Sequence, residues 1–119
     1  MKMWRDLVAE AKREVPLLQV KEVQEKQDRG EAFTLIDVRE PDEFQSGRVP
    51  KSRPIPRGIL EMEMERHFKD PSQPLILYCA AGGRSAVAAQ VLKKMGYENV
   101  SSMEGGFEAW KRLGLPVER

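Results

Sequence analysis

One cysteine and one histidine are all that this chain of 119 residues holds of the two side chains that most often bind transition metals. A lone cysteine excludes an internal disulfide and any Cys-x-x-Cys site. With His67 the only histidine, a tetrahedral zinc site lacks its ligands, so neither a metal nor a cofactor is expected. Charge of one sign is also missing. The 20 Lys and Arg against 19 Asp and Glu leave a net +1, too little for a field that would attract nucleic acid or an anionic membrane. No apolar run approaches the about 20 residues of a membrane span. The opening MKMWRDLVAEAKREV interleaves charge with apolar residues and so lacks the apolar stretch of a signal segment. These absences point to a cytoplasmic protein with small-molecule or protein partners. There is no internal repeat and no low-complexity linker. The length suits one domain with a core that needs no disulfide or metal.

What is present is an alternation of helical patterns and short apolar runs. Trp4, Leu7, Val8, Ala11 and Val15 share one face of a helix that Pro16 ends, so residues 1–16 are expected to form an N-terminal amphipathic helix ahead of a domain over 17–119. That helix is expected to pack its stripe on its own domain. Leu17–Val20 reads as a first strand. Lys21–Arg29 reads as a helix closed by Gly30, and Phe33–Val38 as a strand. Glu40–Ser46 reads as a short helix with Pro41 at its first position and Gly47 at its end. The proline-rich GRVPKSRPIP admits at most a short edge strand near Pro54–Pro56. Further on come a helix at Gly58–Phe68, a continuous apolar strand at Leu75–Cys79 and a helix at Ser85–Met95. The chain closes with a strand at Val100–Met103 and a helix at Gly106–Leu113. Strands alternating with helices imply an open, mainly parallel α/β sheet, whose ligands bind beyond the carboxyl ends of the strands. Cys79 stands at such an end.

After Cys79 come Ala80, Ala81, Gly82, Gly83, Arg84 and Ser85. Two glycines allow backbone angles closed to other residues, and successive amides in such a loop can turn inward as an anion nest. The next helix adds its positive end, and Arg84 a full charge. A thiol in such a partly exposed positive cup is favoured as the nucleophilic thiolate, with no histidine base required. The bland alternative, a small buried hydrophobe, needs neither the glycines nor the arginine. A phosphate-binding P-loop would need Gly-Lys-Ser/Thr, which Arg84-Ser85 does not supply.

The segment Cys79–Ser85 resembles the active-site loop of the rhodanese superfamily. LIDVREPDEF (35–44), GRVPKSRPIPRGILE (47–61) and MEGGFEAWKRLGLPVE (103–118) resemble its other signature segments, so residues 17–118 align in order and spacing. The resemblance implies a rhodanese-like three-layer α/β fold: a five-stranded parallel sheet flanked by helices, here with an extra N-terminal helix. It implies sulfane-sulfur transfer from thiosulfate or a related persulfide donor to cyanide or a thiol, through a Cys79 persulfide in two half-reactions. The loop amides of Ala80–Ser85 would hold the anionic sulfur, and Arg84 would bind the donor's sulfonate end or brace the loop. One segment departs from the family pattern: Gly47-Arg48-Val49-Pro50-Lys51-Ser52 replaces the common Gly-His-Ile-Pro-Gly-Ala, with Pro54 at a usually polar place.

Other readings of the loop remain. A persulfide carrier serving a protein acceptor, or a non-catalytic binding module, could use the same fold. The related phosphatases and arsenate reductases place one more residue between cysteine and arginine than the four found here. Around the site, Asp37, Arg39, Arg57, Gly105 and Gly106 form its expected periphery. Asp37 is expected to cap local backbone and Arg39 to pair with Glu43. Arg57 either faces the mouth or is solvated, and Gly105-Gly106 let the chain pass close to the loop. Trp110 is expected in the core, Met62 and Met64 as packing residues, and His67 as an exposed helix residue.

Overall fold

The computed structural model describes all 119 residues. Six helices and five strands alternate: α1 (Trp4–Glu14), β1 (Leu17–Leu18), α2 (Val20–Asp28), β2 (Thr34–Asp37), α3 (Pro41–Ser46), β3 (Arg53–Pro54), α4 (Leu60–His67), β4 (Leu75–Tyr78), α5 (Gly83–Met95), β5 (Val100–Met103) and α6 (Gly106–Arg112). A single 3₁₀ turn, Arg57–Ile59, leads into α4. All strand pairs are parallel, in the order β1-β5-β4-β2-β3. No helix is long and apolar enough to cross a membrane.

The sheet is buried on both faces, which is why the central β4 (LILY) reads as a continuous apolar run. Along β4, Leu75 and Leu77 join one core with Ile36, Leu60, Met64 and Leu92, whereas Ile76 and Tyr78 join the other with Leu35, Val23, Phe107 and Trp110. The period of two along each strand thus divides the apolar residues into two layers. Helices α4 and α5 cover the first layer, and α2 and α6 the second. Leu77, Leu92 and Leu60 are fully buried, and each contributes about 1.5–3 kcal/mol relative to exposure.

Several boundaries differ from the sequence expectation. β1 stops at Leu18, and Val20 is the first residue of α2 instead of the end of a strand. The cause is a capping interaction: the Gln19 amide donates to Glu22 Oε1 at 2.8 Å, which starts the helix one residue before Lys21. The edge strand lies at Arg53–Pro54, pairing Ile36 with Arg53 and Asp37 with Pro54. Proline is tolerated there because an edge position need not donate a second ladder bond. α5 begins at Gly83, two residues before the expected Ser85, so the last part of the cysteine loop is helical. In the segment that departs from the family pattern, Lys51 takes φ +68°, a left-handed angle that glycine adopts more readily. The turn is therefore kept despite the loss of its glycine.

The apolar stripe of α1 divides along its length. Ala11 and Val15 are buried, and Glu14 accepts hydrogen bonds from Gln90 and Lys93 of α5. Trp4 and Leu7 stay half exposed. Even so, Val8 and the Trp4 indole lie beside Gly83, so the start of α1 flanks the first turn of α5. Met64 is buried as expected, but Met62, expected as a packing residue, is 59% exposed. Trp110 is buried and its indole N–H donates to the Pro116 carbonyl at 2.7 Å.

Candidate active site

β4 ends at Tyr78, and Cys79 is the next residue, at the carboxyl edge of the central strand. Ala80 and Ala81 follow, and Gly82 takes φ +104°, which turns its own N–H back over the cysteine. The Gly82 amide reaches Cys79 Sγ at 3.1 Å and the Ser85 amide reaches it at 3.4 Å. The Ser85 hydroxyl lies 3.5 Å from the same sulfur. Ser85 stands in the first turn of α5, so its amide has no partner within the helix and is free to face the sulfur. The result is a small polar cage around one atom, with two amides donating to the sulfur and the Ser85 hydroxyl accepting from the thiol. Its closure also corrects one expectation: the thiol is not partly exposed but 1% exposed, because Gly82 and Ser85 fold over it and its strand end belongs to the core.

Arg84 is engaged by a carboxylate. Its guanidinium grips Glu43 of α3 with two bonds, Nη1–Oε1 at 2.8 Å and Nη2–Oε2 at 3.1 Å. Arg39 therefore does not pair with Glu43. It pairs with Asp37 instead, Nη2 to Oδ2 at 2.8 Å, while the Arg39 amide donates to Asp37 Oδ1 at 2.9 Å. Both members of that pair are buried. Arg39 also donates to the Gly47 carbonyl at 2.7 Å and stacks over the Phe107 ring at 4.5 Å. It thus joins the end of β2 to the α3 exit and to α6. The local order of charges along LIDVREPDEF suggested a different pairing because Glu43 is one turn away from Arg39. The tertiary approach of α5 to α3 supplies Glu43 with a partner 41 residues distant.

Arg84 and a backbone bond from Glu40 hold the Glu43 carboxylate well below its ordinary value, at about 2. A depressed carboxylate contributes stability above its unfolded value that is lost as pH falls through the folded one. Thermal midpoints measured between pH 5 and pH 2 are expected to drop faster for the wild type than for Glu43→Gln, which has no proton to take up. Parallel curves for the two proteins would show that this pair carries no pH-dependent stability.

Arg57, in the 3₁₀ turn, pairs its side chain with Glu61 of α4 at 2.8 Å, while its backbone amide donates to the Val38 carbonyl at 3.0 Å. His67 is exposed on α4 near Glu63. The glycine pair does approach the loop. The amides of Phe107 and Glu108, at the start of α6, donate to the carbonyls of Cys79 and Ala80, each at 2.9 Å. Gly106 permits this, since a Cβ there would lie 2.5 Å from the Cys79 carbonyl oxygen. So α6 holds the outward-facing carbonyls of the loop while the amides of Gly82 and Ser85 face the sulfur.

Three further residues complete the surroundings, of which the sequence reading missed Ser102. Glu43, expected to pair with Arg39, anchors Arg84 instead. Glu104 pairs with Lys12 of α1 at 2.7 Å and lies beside Gly82. Ser102 of β5, fully buried, places its hydroxyl 2.8 Å from that of Ser85. The one local signal for Ser102 was a serine at an inward-facing strand position, two residues from the buried Val100.

A parallel five-stranded α/β domain that bends amides around a single cysteine after its central strand defines a class of thiol-centred proteins. Residues 19–113 match the family described as Rhodanese-like domain, and the chain belongs to that family. It is similar to a sulfurtransferase of Allochromatium vinosum, 34% identical over 73% of this chain and 79% of that one. It is also similar to the thiosulfate sulfurtransferase GlpE of Pseudoalteromonas translucida, 35% identical over 82% of this chain and 87% of the relative. Among solved structures, a Rhodopseudomonas palustris protein of unknown function, described as a possible tyrosine phosphatase, matches with a TM-score of 0.90 and 29% identity over 99% of this chain and 96% of its own. A thiosulfate sulfurtransferase from Pseudomonas aeruginosa matches with a TM-score of 0.84 and 28% identity, over 95% of this chain and 22% of that longer one.

Proposed function

We propose that the protein is a rhodanese-type sulfurtransferase that moves a sulfane sulfur from thiosulfate, or a related persulfide, to a thiophilic acceptor through Cys79. The observation that carries this reading is the convergence of the Gly82 and Ser85 amides on Sγ at 3.1 and 3.4 Å. Such donors stabilise an anionic sulfur without a general base. In the first half-reaction the Cys79 thiolate attacks the outer sulfur of thiosulfate. The sulfur–sulfur bond of thiosulfate breaks, sulfite leaves with the electron pair, and Cys79 becomes a persulfide anion. In the second, cyanide or a thiolate attacks the outer persulfide sulfur and the Cys79 thiolate is regenerated. Electrons and atoms balance in both steps with no metal and no external oxidant.

The roles of the surrounding residues follow from their contacts. Arg84, engaged by Glu43, is a brace for the loop more than a ligand for a sulfonate. Asp37 and Arg39 brace its neighbours, whereas the Arg57 charge is taken up by Glu61. The four residues between Cys79 and Arg84 make a cup suited to one sulfur atom, which favours sulfur transfer over the phosphatase and arsenate reductase readings. The test is intact-mass spectrometry after exposure to thiosulfate. The expected result is a gain of one sulfur atom, discharged by cyanide with release of thiocyanate. A protein that stays unmodified with both thiosulfate and glutathione persulfide would sink the proposal.

A further inference from the structure

Ser102 lies outside the cysteine loop, on a strand interior, and nothing in the proposed reaction uses it. It is nevertheless a buried hydroxyl, 0% exposed, with its oxygen 2.8 Å from the Ser85 hydroxyl, which in turn lies 3.5 Å from Cys79 Sγ. The three polar atoms form one chain from β5 through α5 to the sulfur. The register fixes this arrangement. Ser102 pairs with Leu77 of β4 and shares a strand face with Val100, the face that α5 covers. Ser85, in the first turn of α5, meets it there.

A hydroxyl carries one proton and two acceptor lone pairs. Within a buried pair only one proton lies between the two oxygens, so the pair has two orientations. When Cys79 is a neutral thiol, its proton can point to Ser85, and the Ser85 proton then points to Ser102. When Cys79 is a thiolate, the order reverses: Ser102 donates to Ser85, and Ser85 donates to the sulfur. A hydrogen bond to an ionised acceptor is stronger than one between neutral groups, and a donor that itself accepts a hydrogen bond is a better donor. The chain therefore favours the anionic sulfur more than the neutral one.

We propose that Ser102 is a positioning residue for Cys79: by donating to Ser85 it orients and polarises the hydroxyl that stabilises the anionic sulfur. The assignment rests on Cys79 acting as a nucleophile, as the sulfurtransferase reading requires. Its test uses alkylation by iodoacetamide instead of sulfur transfer, so the two readings stand or fall separately. The charged groups around the loop are Arg84 of α5, Glu43 of α3, Asp37 of β2 with the buried Arg39 paired to it, Lys12 of α1 and Glu104 beyond β5. None of them is altered by a substitution at Ser102.

In Ser102→Ala the rising limb of the alkylation pH profile is expected to move to higher pH. On that limb the rate falls about two- to fivefold, the size expected when a charge-assisted hydrogen bond loses the donor behind it. The plateau at high pH, where the thiol is ionised in any case, does not fall. A purely structural loosening would instead change the rate at all pH values alike. The second measurement is a double-mutant cycle. In a Ser85→Ala background the Ser102→Ala change is expected to have no further effect, because the hydroxyl through which Ser102 acts is gone. An unmoved profile in Ser102→Ala overturns the assignment, as do a uniform change in rate or independent multiplication of the two effects.

Discussion

Cys79→Ser is expected to abolish thiosulfate:cyanide sulfur transfer, with a fall of at least about 10³-fold, as for other nucleophile replacements. The change is close to isosteric, and the site is built to hold the side chain: Cys79 is buried and its sulfur faces the amides of Gly82 and Ser85. The fold should therefore be retained, and the loss is one of chemistry. A serine oxygen is a far weaker nucleophile than a cysteine sulfur, and it cannot form the sulfur–sulfur bond on which both proposed half-reactions depend. The check is thiocyanate production together with intact mass after thiosulfate, with the circular dichroism spectrum confirming the fold. Thiocyanate production at more than a tenth of the wild-type rate would mean that Cys79 is not the sulfur-bearing atom.

The largest effect on stability is expected at Gly106. Its φ of +57° carries a cost for any other residue, and a Cβ there would meet the Cys79 carbonyl oxygen at 2.5 Å and the Ala80 carbonyl oxygen at 2.6 Å. Those atoms are backbone and cannot rotate away. Gly106→Ala must push α6 off the loop and strain the two hydrogen bonds from Phe107 and Glu108 to the loop carbonyls. Overpacking and weakened bonds together are expected to cost about 3–5 kcal/mol in urea unfolding. Gly30→Ala is the control. Its φ of +67° is similar, but nothing lies within 4 Å of the added carbon. It should lose only about 1–2 kcal/mol, the backbone part alone. Equal losses at the two positions would show that the close approach to the loop does not matter. Because α6 holds the outer side of the loop, folded Gly106→Ala should also alkylate Cys79 more slowly than Gly30→Ala.

Much of this was legible in the residues. LILY reads as a central strand because both faces of a parallel strand are buried, and the sheet order places β4 in the middle. Pro41 and Gly47 bracket α3 correctly, since helix boundaries follow local backbone chemistry. Lys93, Lys94 and Gly96 end α5 for the same reason. The glycines of the cysteine loop were readable as a turn that directs amides at the sulfur. Less legible was what the charged side chains do. Arg39 and Glu43 look like partners along the chain, yet each is paired elsewhere, with Asp37 and with Arg84.

By itself the sequence determined the alternation of strands and helices, the place of Cys79 at a strand end and the small-residue turn after it. All of these rest on interactions between residues near one another in the chain. Tertiary structure alone decided how deeply the sulfur is buried, which acid engages Arg84, that α6 holds the carbonyl side of the loop, and that Ser102 stands behind Ser85. Those contacts join residues up to tens of positions apart, and they depend on which strands lie side by side and in what register. That choice is made by the burial of both sheet faces at once, a property of the packed molecule that no local run of residues contains.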